Sequence, residues 1–581
     1  MDPLEALGSL VRSAAVAALG PDFADVDPQV RRGQHADAQA DLALGLAKRA
    51  RKAPRAIAES LVAAFPANDL VDRVEVAGPG FLNFTLSSRW LAHAATGLLE
   101  DPRLGVPHAA SPDRVVIDYS APNVAKEMHV GHLRSTVLGD ALARLLEFRG
   151  HTVIRQNHVG DWGTPFGMLI EHLIDLEGQA TAGLEVGDLS SFYKAARKKF
   201  DEEPGFAERA RRRVVALQGG DPKTLEQWRV LVDISKRYFA TVYDLLDVTL
   251  RDGDVAGESL YNDKLVPLVE ELEKRGYARE NDGALCVFPA GFTNKEGEPL
   301  PIIVRKSDGG FGYGTTDLAA IRYRLFDLRA TRLLYVVGAP QTQHFSMIFT
   351  AARELGWLEA PARAEHVAFG SVLGTDRRML RSREGDAVRL VDLITEAIAR
   401  AEAVLAAKAP DLDEESRAAV AKMVGVGSLK YADLSSDRVK DYIFDVDRMV
   451  SFDGNTAGYL QYAHARVRAV FRKVKAPFAL GPVTLAPSSE QDPAARAERE
   501  LVMQLLAFGP AVVAVEQWLE PHRLAGYLYD LASSFTSFYE KCPILPSTGE
   551  TLASRLALAE LTARTLSLAL GLLGISVPDR M

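Results

Sequence analysis

What most constrains this chain is the succession of three segments between residues 115 and 154. Val115-Val116-Ile117 is short and apolar enough for a buried strand. Leu133, Val137, Leu138, Ala141, Leu142, Leu145 and Leu146 then recur at helical spacing up to the stop signal Gly150, and a second strand follows at Thr152 to Ile154. Strand, helix and strand in that order predict a parallel pair joined by a right-handed crossover. The loop before the helix then lies at the carboxyl edge of the sheet, where open α/β folds bind ligands. That loop carries His129 and His132 around Gly131. The orphan amides and dipole of a helix start attract phosphate oxygens, a glycine admits a nucleotide close to the backbone, and imidazoles donate hydrogen bonds to phosphate. The tetrapeptide alone reads equally well as two surface or capping histidines.

Length and composition predict a large protein of several domains. The 581 residues are 47% hydrophobic, enough for about three or four domains. No run of about 18 apolar residues is found, so no membrane span is expected. Asp2, Glu5 and Arg12 break any leader pattern in the amphipathic stretch from Met1 to Gly20, which predicts a cytoplasmic address. Two cysteines, Cys286 and Cys542, exclude a disulfide framework and a Cys-rich zinc knuckle. The net charge of −9 disfavours a uniformly basic RNA-binding surface. Two local basic stretches stand out against it: Lys48, Arg49, Arg51, Lys52 and Arg55, and then Arg466, Arg468, Arg472, Lys473 and Lys475. The second follows Tyr459, Tyr462 and His464, rings that can stack on bases; a solvated helix face is the simpler reading of either stretch.

The pattern along the chain predicts an α/β protein with a Rossmann-type parallel-sheet catalytic domain, an N-terminal α+β domain and a C-terminal all-α helix bundle. Residues 1–108 mix helix and strand, ending in the run Val74 to Phe84, a strand after a Pro-Gly turn, and Pro107 to Pro112 reads as a linker. Residues 109–390 hold the sheet domain, interrupted by a charged helical insertion at about 187–248 with Gly219-Gly220-Asp221-Pro222 as an internal turn. The alternation resumes through the apolar strand Leu333 to Gly338. Residues 391–440 form a helical connector and 441–581 a helical domain.

A site that selects a planar, permanently charged guanidinium needs carboxylates in bidentate reach and a flat neighbour. Glu258, just after a predicted strand, qualifies. So do Tyr313 and Asp317, four apart at the start of a helix carrying Leu318, Ile321 and Leu325. From its position alone Asp317 is more simply a first-turn acid interacting with the helix dipole.

The block Ser120 to Thr136, with Gly160-Asp161-Trp162-Gly163-Thr164 downstream, resembles the signature of class I aminoacyl-tRNA synthetases, and within them of arginyl-tRNA synthetase. The family motif is written HIGH, and its arginine-specific form S-x-P-N-x-A-K-x-x-H-x-G-H-L-R-S-T is reproduced almost letter for letter. The resemblance implies ATP binding by His129, Gly131 and His132, with Lys126 supporting catalysis. It implies that Asn123 and Gln341 hold the polar groups of arginine while Glu258, Tyr313 and Asp317 contact the guanidinium. The second class I signature, KMSKS, is degenerate: the matching region Leu373 to Gly385 has arginines but no lysine, and Ser382 and Arg383 are its candidate catalytic residues. Many arginyl enzymes carry a lysine just before HxGH instead, where Lys126 stands.

Gly454 to Arg466, Glu520 to Leu524 and Gly574 to Met581 resemble the family's anticodon-binding helix bundle. By that resemblance Tyr462, Tyr539 and Met581 contact the anticodon loop, and Phe81 and Asn83 the D-loop. The implied activity is ligation of L-arginine to tRNA(Arg) through an arginyl-adenylate, with ATP as its Mg2+ complex, no zinc, no editing domain and activation that depends on bound tRNA. A monomer free of membrane is expected. The rival readings are another enzyme using the HxGH loop and a catalytically inactive tRNA-binding paralogue; intact His129, His132, Asn123 and Asp317 disfavour the latter.

Overall fold

The computed structural model describes residues 2–581 except 34–35, 164, 178–188, 381–387, 475–477 and 488–490. The chain opens with α1 (Pro3–Leu19), whose first turn is capped by Asp2 accepting from the Leu4 amide. Strands β1 (Val30–Arg32) and β2 (Ala38–Ala40) lead into α2 (Leu42–Ala50) and α3 (Pro54–Ala63), then β3 (Val71–Ala77), β4 (Phe81–Leu86) and α4 (Ser88–Glu100). The four strands form an antiparallel sheet in the order β1-β2-β4-β3. The strand expected after the Pro-Gly turn is β4, and it forms a hairpin with β3 because Gly78 and Gly80, with φ of 51° and 144°, reverse the chain around Pro79. In β4, Leu82, Phe84 and Leu86 enter the core, which leaves Phe81 and Asn83 on the other face.

The predicted core unit is present as β5 (Arg114–Asp118), α5 (Val130–Phe148) and β6 (Thr152–Gln156), with β5 and β6 parallel. A helical excursion follows through α6 (Pro165–Glu177), α7 (Leu189–Glu202), α8 (Pro204–Gln218) and α9 (Pro222–Leu245), where α6 packs along α8 and so already belongs to it. The expected turn at Gly219 to Pro222 lies between α8 and α9, and Asp221 caps α9. Next come α10 (Asn262–Lys274), an antiparallel ribbon of β7 (Ala278–Asn281), β8 (Ala284–Val287) and β9 (Ile302–Arg305), then α11 (Tyr313–Phe326), β10 (Arg332–Tyr335), α12 (Thr342–Glu354) and β11 (Arg363–His366). The parallel sheet runs in the order β11-β10-β5-β6. Chain direction around the sheet therefore reverses between β5 and β10, the crevice where such sheets bind ligands. Helix α11 precedes β10 and runs antiparallel to it, so its first turn comes to the same edge.

No separate strand precedes Glu258. Residues 255–258 lie along 157–159, with Ala256 N donating to Asn157 O and Glu258 N to Val159 O, and a 3-10 turn starts at Glu258. The extended conformation is there, but it serves as a short edge on a loop.

Beyond β12 (Val372–Leu373) the chain is almost wholly helical: α13 (Leu390–Lys408), α14 (Glu414–Leu434), the short β13 (Tyr442–Ile443) paired parallel to β12, then α15 (Val446–Met449), α16 (Ala457–Lys473), α17 (Pro493–Leu506), α18 (Phe508–Trp518), α19 (His522–Lys541) and α20 (Gly549–Leu572). Pro493–Trp518 is long and apolar enough to cross a bilayer, but half of that window is buried here, as two helices packed on α19. One hydrophobic cluster runs from the N-terminal sheet past α5 into this bundle, and a second lies under α10, α11 and α12. Arg499 of α17 donates to Asp37 at 2.6 Å, and Arg564 of α20 to the Leu99 carbonyl at 2.7 Å, which ties the N-terminal sheet to the bundle.

Two buried ion pairs brace the sheet and its neighbours. Arg324 of α11 lies under the sheet edge and donates to Asp118 at 2.8 Å and to Gln156 at 2.6 Å, with the Tyr335 ring 4.9 Å from its guanidinium. Arg134 of α5 pairs with Asp433 of α14 at 3.1 Å and donates to the Lys440 carbonyl at 2.9 Å. Removing one member of such a pair strands a buried charge, at a cost of about 3–5 kcal/mol, whereas replacing both by apolar groups is often neutral. Arg324→Ala is expected to lower the thermal transition sharply, and Arg324→Met with Asp118→Leu to recover most of the loss; a single variant that melts like the parent chain would refute the bracing role.

Candidate active site

The HxGH loop leaves β5 at Asp118 and enters α5 at Val130. His129 caps the helix: its Nδ1 accepts from the Gly131 amide at 3.1 Å, while His132 Nδ1 accepts from the His129 amide at 3.1 Å. The Val130 amide donates to the Val388 carbonyl and the His132 amide to the His129 carbonyl. The orphan amides expected to face phosphate are thus already occupied, because two imidazoles and a strand-like contact satisfy the first turn. With Nδ1 acting as acceptor, each neutral ring carries its proton on Nε2. The rings sit 4.1 Å apart. Burial, followed by the charge of Lys126, lowers the His129 pKa; burial and then His129 push that of His132 down to about 3. Both are neutral N–H donors near pH 7. Lys126 is exposed, with its ammonium 4.7 Å from the Tyr193 ring of α7.

The loop backbone is strained. Ser120, Ala121 and Ala125 have φ of 71°, 48° and 59°, at about 1–3 kcal/mol each. Helix α9 holds them there. Ser235 Oγ accepts from the Ala125 amide at 2.9 Å, Tyr238 Oη from the Met128 amide at 3.2 Å, and Tyr243 Oη meets Ser120 Oγ at 2.8 Å. Asn157 carries the contact back to β6, accepting from the Ala121 amide at 3.0 Å and donating to Tyr243 at 2.8 Å.

An acidic slot opens beside the loop. Asp161, buried, accepts from the Ser259 amide at 2.8 Å and its hydroxyl at 2.6 Å, and so holds the turn that presents Glu258. A Cβ on Gly257 would lie 2.2 Å from the Asp161 carboxylate, and one on Gly160 would lie 2.4 Å from Asn123 Oδ1, so both close approaches require glycine. Burial, then Asp161 and Asp317, push the Glu258 pKa up to about 7. Asp317 bonds His344 of α12 at 2.6 Å, and the Tyr313 ring stands edge-on to the His344 ring at 5.2 Å. Trp162, Glu258, Tyr313, Thr316 and His344 line one open cavity of about 1360 Å3. Asn123 and Gln341 are both exposed, at the ends of β5 and β10.

Of the degenerate second signature, residues 373–380 fold back on themselves, with Leu373 bridged to Met379 and Arg377 at a φ of 61°. Ser382 and Arg383 lie outside the described residues, as does Lys475.

In the helical bundle Tyr462 is exposed, and Tyr539 lies 4.3 Å under the Arg466 guanidinium. Phe452, Tyr459, Tyr462, Arg466 and Phe535 line a cavity of about 190 Å3, and Met581 packs against the cluster containing Phe452. His464 is not free to stack on a base: it is buried, its Nδ1 3.1 Å from the Pro578 carbonyl. Arg468 pairs with Glu560 at 2.7 Å, so part of the basic stretch is neutralised across the bundle. Near the N-terminus Arg49 pairs with Asp25 and Arg55 with Glu59, while Phe81 and Asn83 sit half-buried on the open sheet face.

Three family models match in order: Arginyl tRNA synthetase N terminal domain over residues 5–86, tRNA synthetases class I (R), catalytic domain over 95–446, and DALR anticodon binding domain over 460–581. The chain is 54% identical over 584 residues to an arginine–tRNA ligase of Thermobifida fusca, covering 100% of both. The chain belongs to the arginyl-tRNA synthetase family. Against the arginine–tRNA ligase of Synechococcus elongatus identity is 47%, again over 100% of both chains. The arginyl-tRNA synthetase structures of Plasmodium falciparum and Thermus thermophilus each cover it fully, with TM-scores of 0.83 and 0.81 at 27% and 25% identity.

Residue patterns of this synthetase place Asp161 in the signature block without a role of its own, and do not reveal Ser235, Tyr238, Tyr243 or His344 as parts of the site. The three hydroxyls fall on one face of α9 among Leu231, Phe239 and Val242, and a polar group recurring in an apolar stripe was the available signal. The raised Glu258 pKa carries a testable sign. A guanidinium binds the ionised carboxylate, which gains a proton as pH falls through about 7. The apparent KM for arginine is therefore expected to rise as pH falls below 7 and to level off above it. Glu258→Gln is expected to raise KM and flatten the profile, read from initial rates against pH; a pH-dependent KM of undiminished slope in that variant would remove Glu258 from the slot.

Proposed function

We propose that this chain joins L-arginine to tRNA(Arg) in two steps, at a centre formed by the His129–His132 loop and the Glu258–Asp317 slot. As an arginyl-tRNA synthetase it is an ATP-dependent arginine–tRNA ligase. Glu258 and Asp317 receive the guanidinium with Tyr313 beside it, and Asn123 and Gln341 take the α-amino and carboxylate groups at the sheet edge. The arginine carboxylate attacks the α-phosphorus of ATP, supplied as its Mg2+ complex; the bond to the β-phosphate oxygen breaks, and arginyl-adenylate and pyrophosphate form. The two Nε2–H groups donate to phosphate oxygens where charge develops, and Lys126 swings from the Tyr193 ring to the triphosphate. The terminal ribose hydroxyl of the tRNA then attacks the arginyl carbonyl, the bond from that carbonyl carbon to the AMP phosphate oxygen breaks, and the departing phosphate takes up the hydroxyl proton. No protein nucleophile is needed, so placement and charge stabilisation supply the rate.

The tRNA is held at two distant places in this reading: Tyr462, Tyr539 and Met581 at the anticodon, Phe81 and Asn83 at the D-loop. A four-part division at residues 108, 390 and 440, a monomeric state and a cytoplasmic location complete the proposal. Arginyl-tRNA synthetases are soluble translation enzymes, in keeping with that location.

The observation that carries the proposal is the pair of imidazoles whose Nδ1 atoms are consumed by the helix start, which leaves the Nε2–H of each ring to donate. His129→Asn separates the two duties, since asparagine is among the best helix caps but has no ring donor. Its thermal transition is expected to stay near that of the parent, while tRNA-dependent pyrophosphate exchange falls about 100-fold, the size of a lost preorganised donor. Full exchange activity in the folded variant would sink the assignment. Lys126→Ala is expected to raise the KM for ATP while leaving that for arginine unchanged, by the same assay.

A further inference from the structure

Asp317 is a slot carboxylate whose orientation depends on a side chain from a neighbouring α-helix. It stands on the second turn of α11, 20% exposed, and bonds His344, 18% exposed, on the first turn of α12. A carboxylate accepts only, so the facing Nε2 carries the proton. The His344 ring is itself fenced by Tyr313 at 5.2 Å and Phe345 at 5.4 Å, both edge-on. It lines the same cavity as Glu258 and Tyr313.

We propose that His344 is a positioning residue for amino-acid selection: its Nε2–H ties down one oxygen of Asp317, so that the other is presented at a fixed angle to the incoming guanidinium. The proposal rests on the reading of Glu258 and Asp317 as the guanidinium slot. A freely turning aspartate satisfies a compact ammonium as well as a fork, whereas one held from behind keeps the planar geometry that a forked cation meets and lysine does not. Residue type, tautomer and ring packing all serve that one orientation.

The test uses the full-length enzyme with His344→Ala, His344→Phe, His344→Gln and Asp317→Asn, assayed by tRNA-dependent exchange and by charging with arginine and with lysine. His344→Phe keeps a ring against Tyr313 and loses the donor, which protects the test if the alanine variant fails to fold; His344→Gln restores an N–H of similar reach. Expected for the alanine and phenylalanine variants is a rise of about tenfold in the KM for arginine, the weight of one charge-assisted hydrogen bond. Their kcat and KM for ATP stay within twofold, and preference for arginine over lysine narrows. The glutamine variant recovers most of both. An unchanged arginine KM in His344→Phe, or a folded His344→Gln no better than His344→Ala, overturns the proposal. If Asp317→Asn also leaves the arginine KM unchanged, the slot itself is wrongly placed, and the failure lies with that reading and takes the proposal with it.

Discussion

The imidazoles of His129 and His132 each have one nitrogen to spare, and the structure depends on which. The first turn of α5 takes Nδ1 from both rings to satisfy backbone amides that would otherwise be unpaired. What remains is a pair of Nε2 donors, in rings kept neutral by burial and by the nearby ammonium. In the proposed reaction a helix cap and a phosphate-binding device are therefore one object. The capping reading and the catalytic reading of this tetrapeptide, opposed in sequence, describe the two nitrogens of the same side chains.

Holding that object in place falls to the helical insertion. Three non-glycine residues of the loop adopt left-handed backbone, which is affordable only where surrounding contacts over-determine it. Ser235, Tyr238 and Tyr243 make those contacts from α9, while Trp228 of the same helix donates to the Asp161 carbonyl at 2.7 Å. The insertion thus touches both halves of the site, the histidine loop through its hydroxyls and the acidic slot through Asp161. A displacement of α9 would be felt at both, and α7 adds a third link where Tyr193 shelters Lys126.

The slot illustrates how position sets acid strength. Asp161 serves inward, with its oxygens taken by Ser259. Asp317 is held by His344, and burial beside two other acids raises the Glu258 pKa to about 7, while burial raises that of Asp161 as well. Crowded carboxylates are costly while empty. In the proposed reading that cost falls when a cation enters, so the same crowding that destabilises the empty slot would add to a preference for a permanent charge.

Much of the fold was legible because burial has a period. Leu133 to Leu146 at helical spacing, the apolar strands on either side and the Gly219 to Pro222 turn all appear where the pattern puts them, since each records a local choice between facing the core and facing water. The His129 loop and the Tyr313-Asp317 helix start were legible for the same reason. What sequence could not supply is proximity between distant segments. That Arg324 meets Asp118, that α9 props residues 120–128, that His344 meets Asp317, and that His464 faces Pro578 instead of solvent are each decided by how helices cross, and no residue spacing records a crossing. The hairpin at Gly78 to Gly80 and the edge segment before Glu258 belong to the same class, because pairing partners determine whether an extended run becomes one strand, two or a bridge. By itself the amino-acid order determined which side chains the chemistry can use; the tertiary structure decided which nitrogen, which oxygen and which charge state each one presents, because those depend on neighbours brought together only when the core closes.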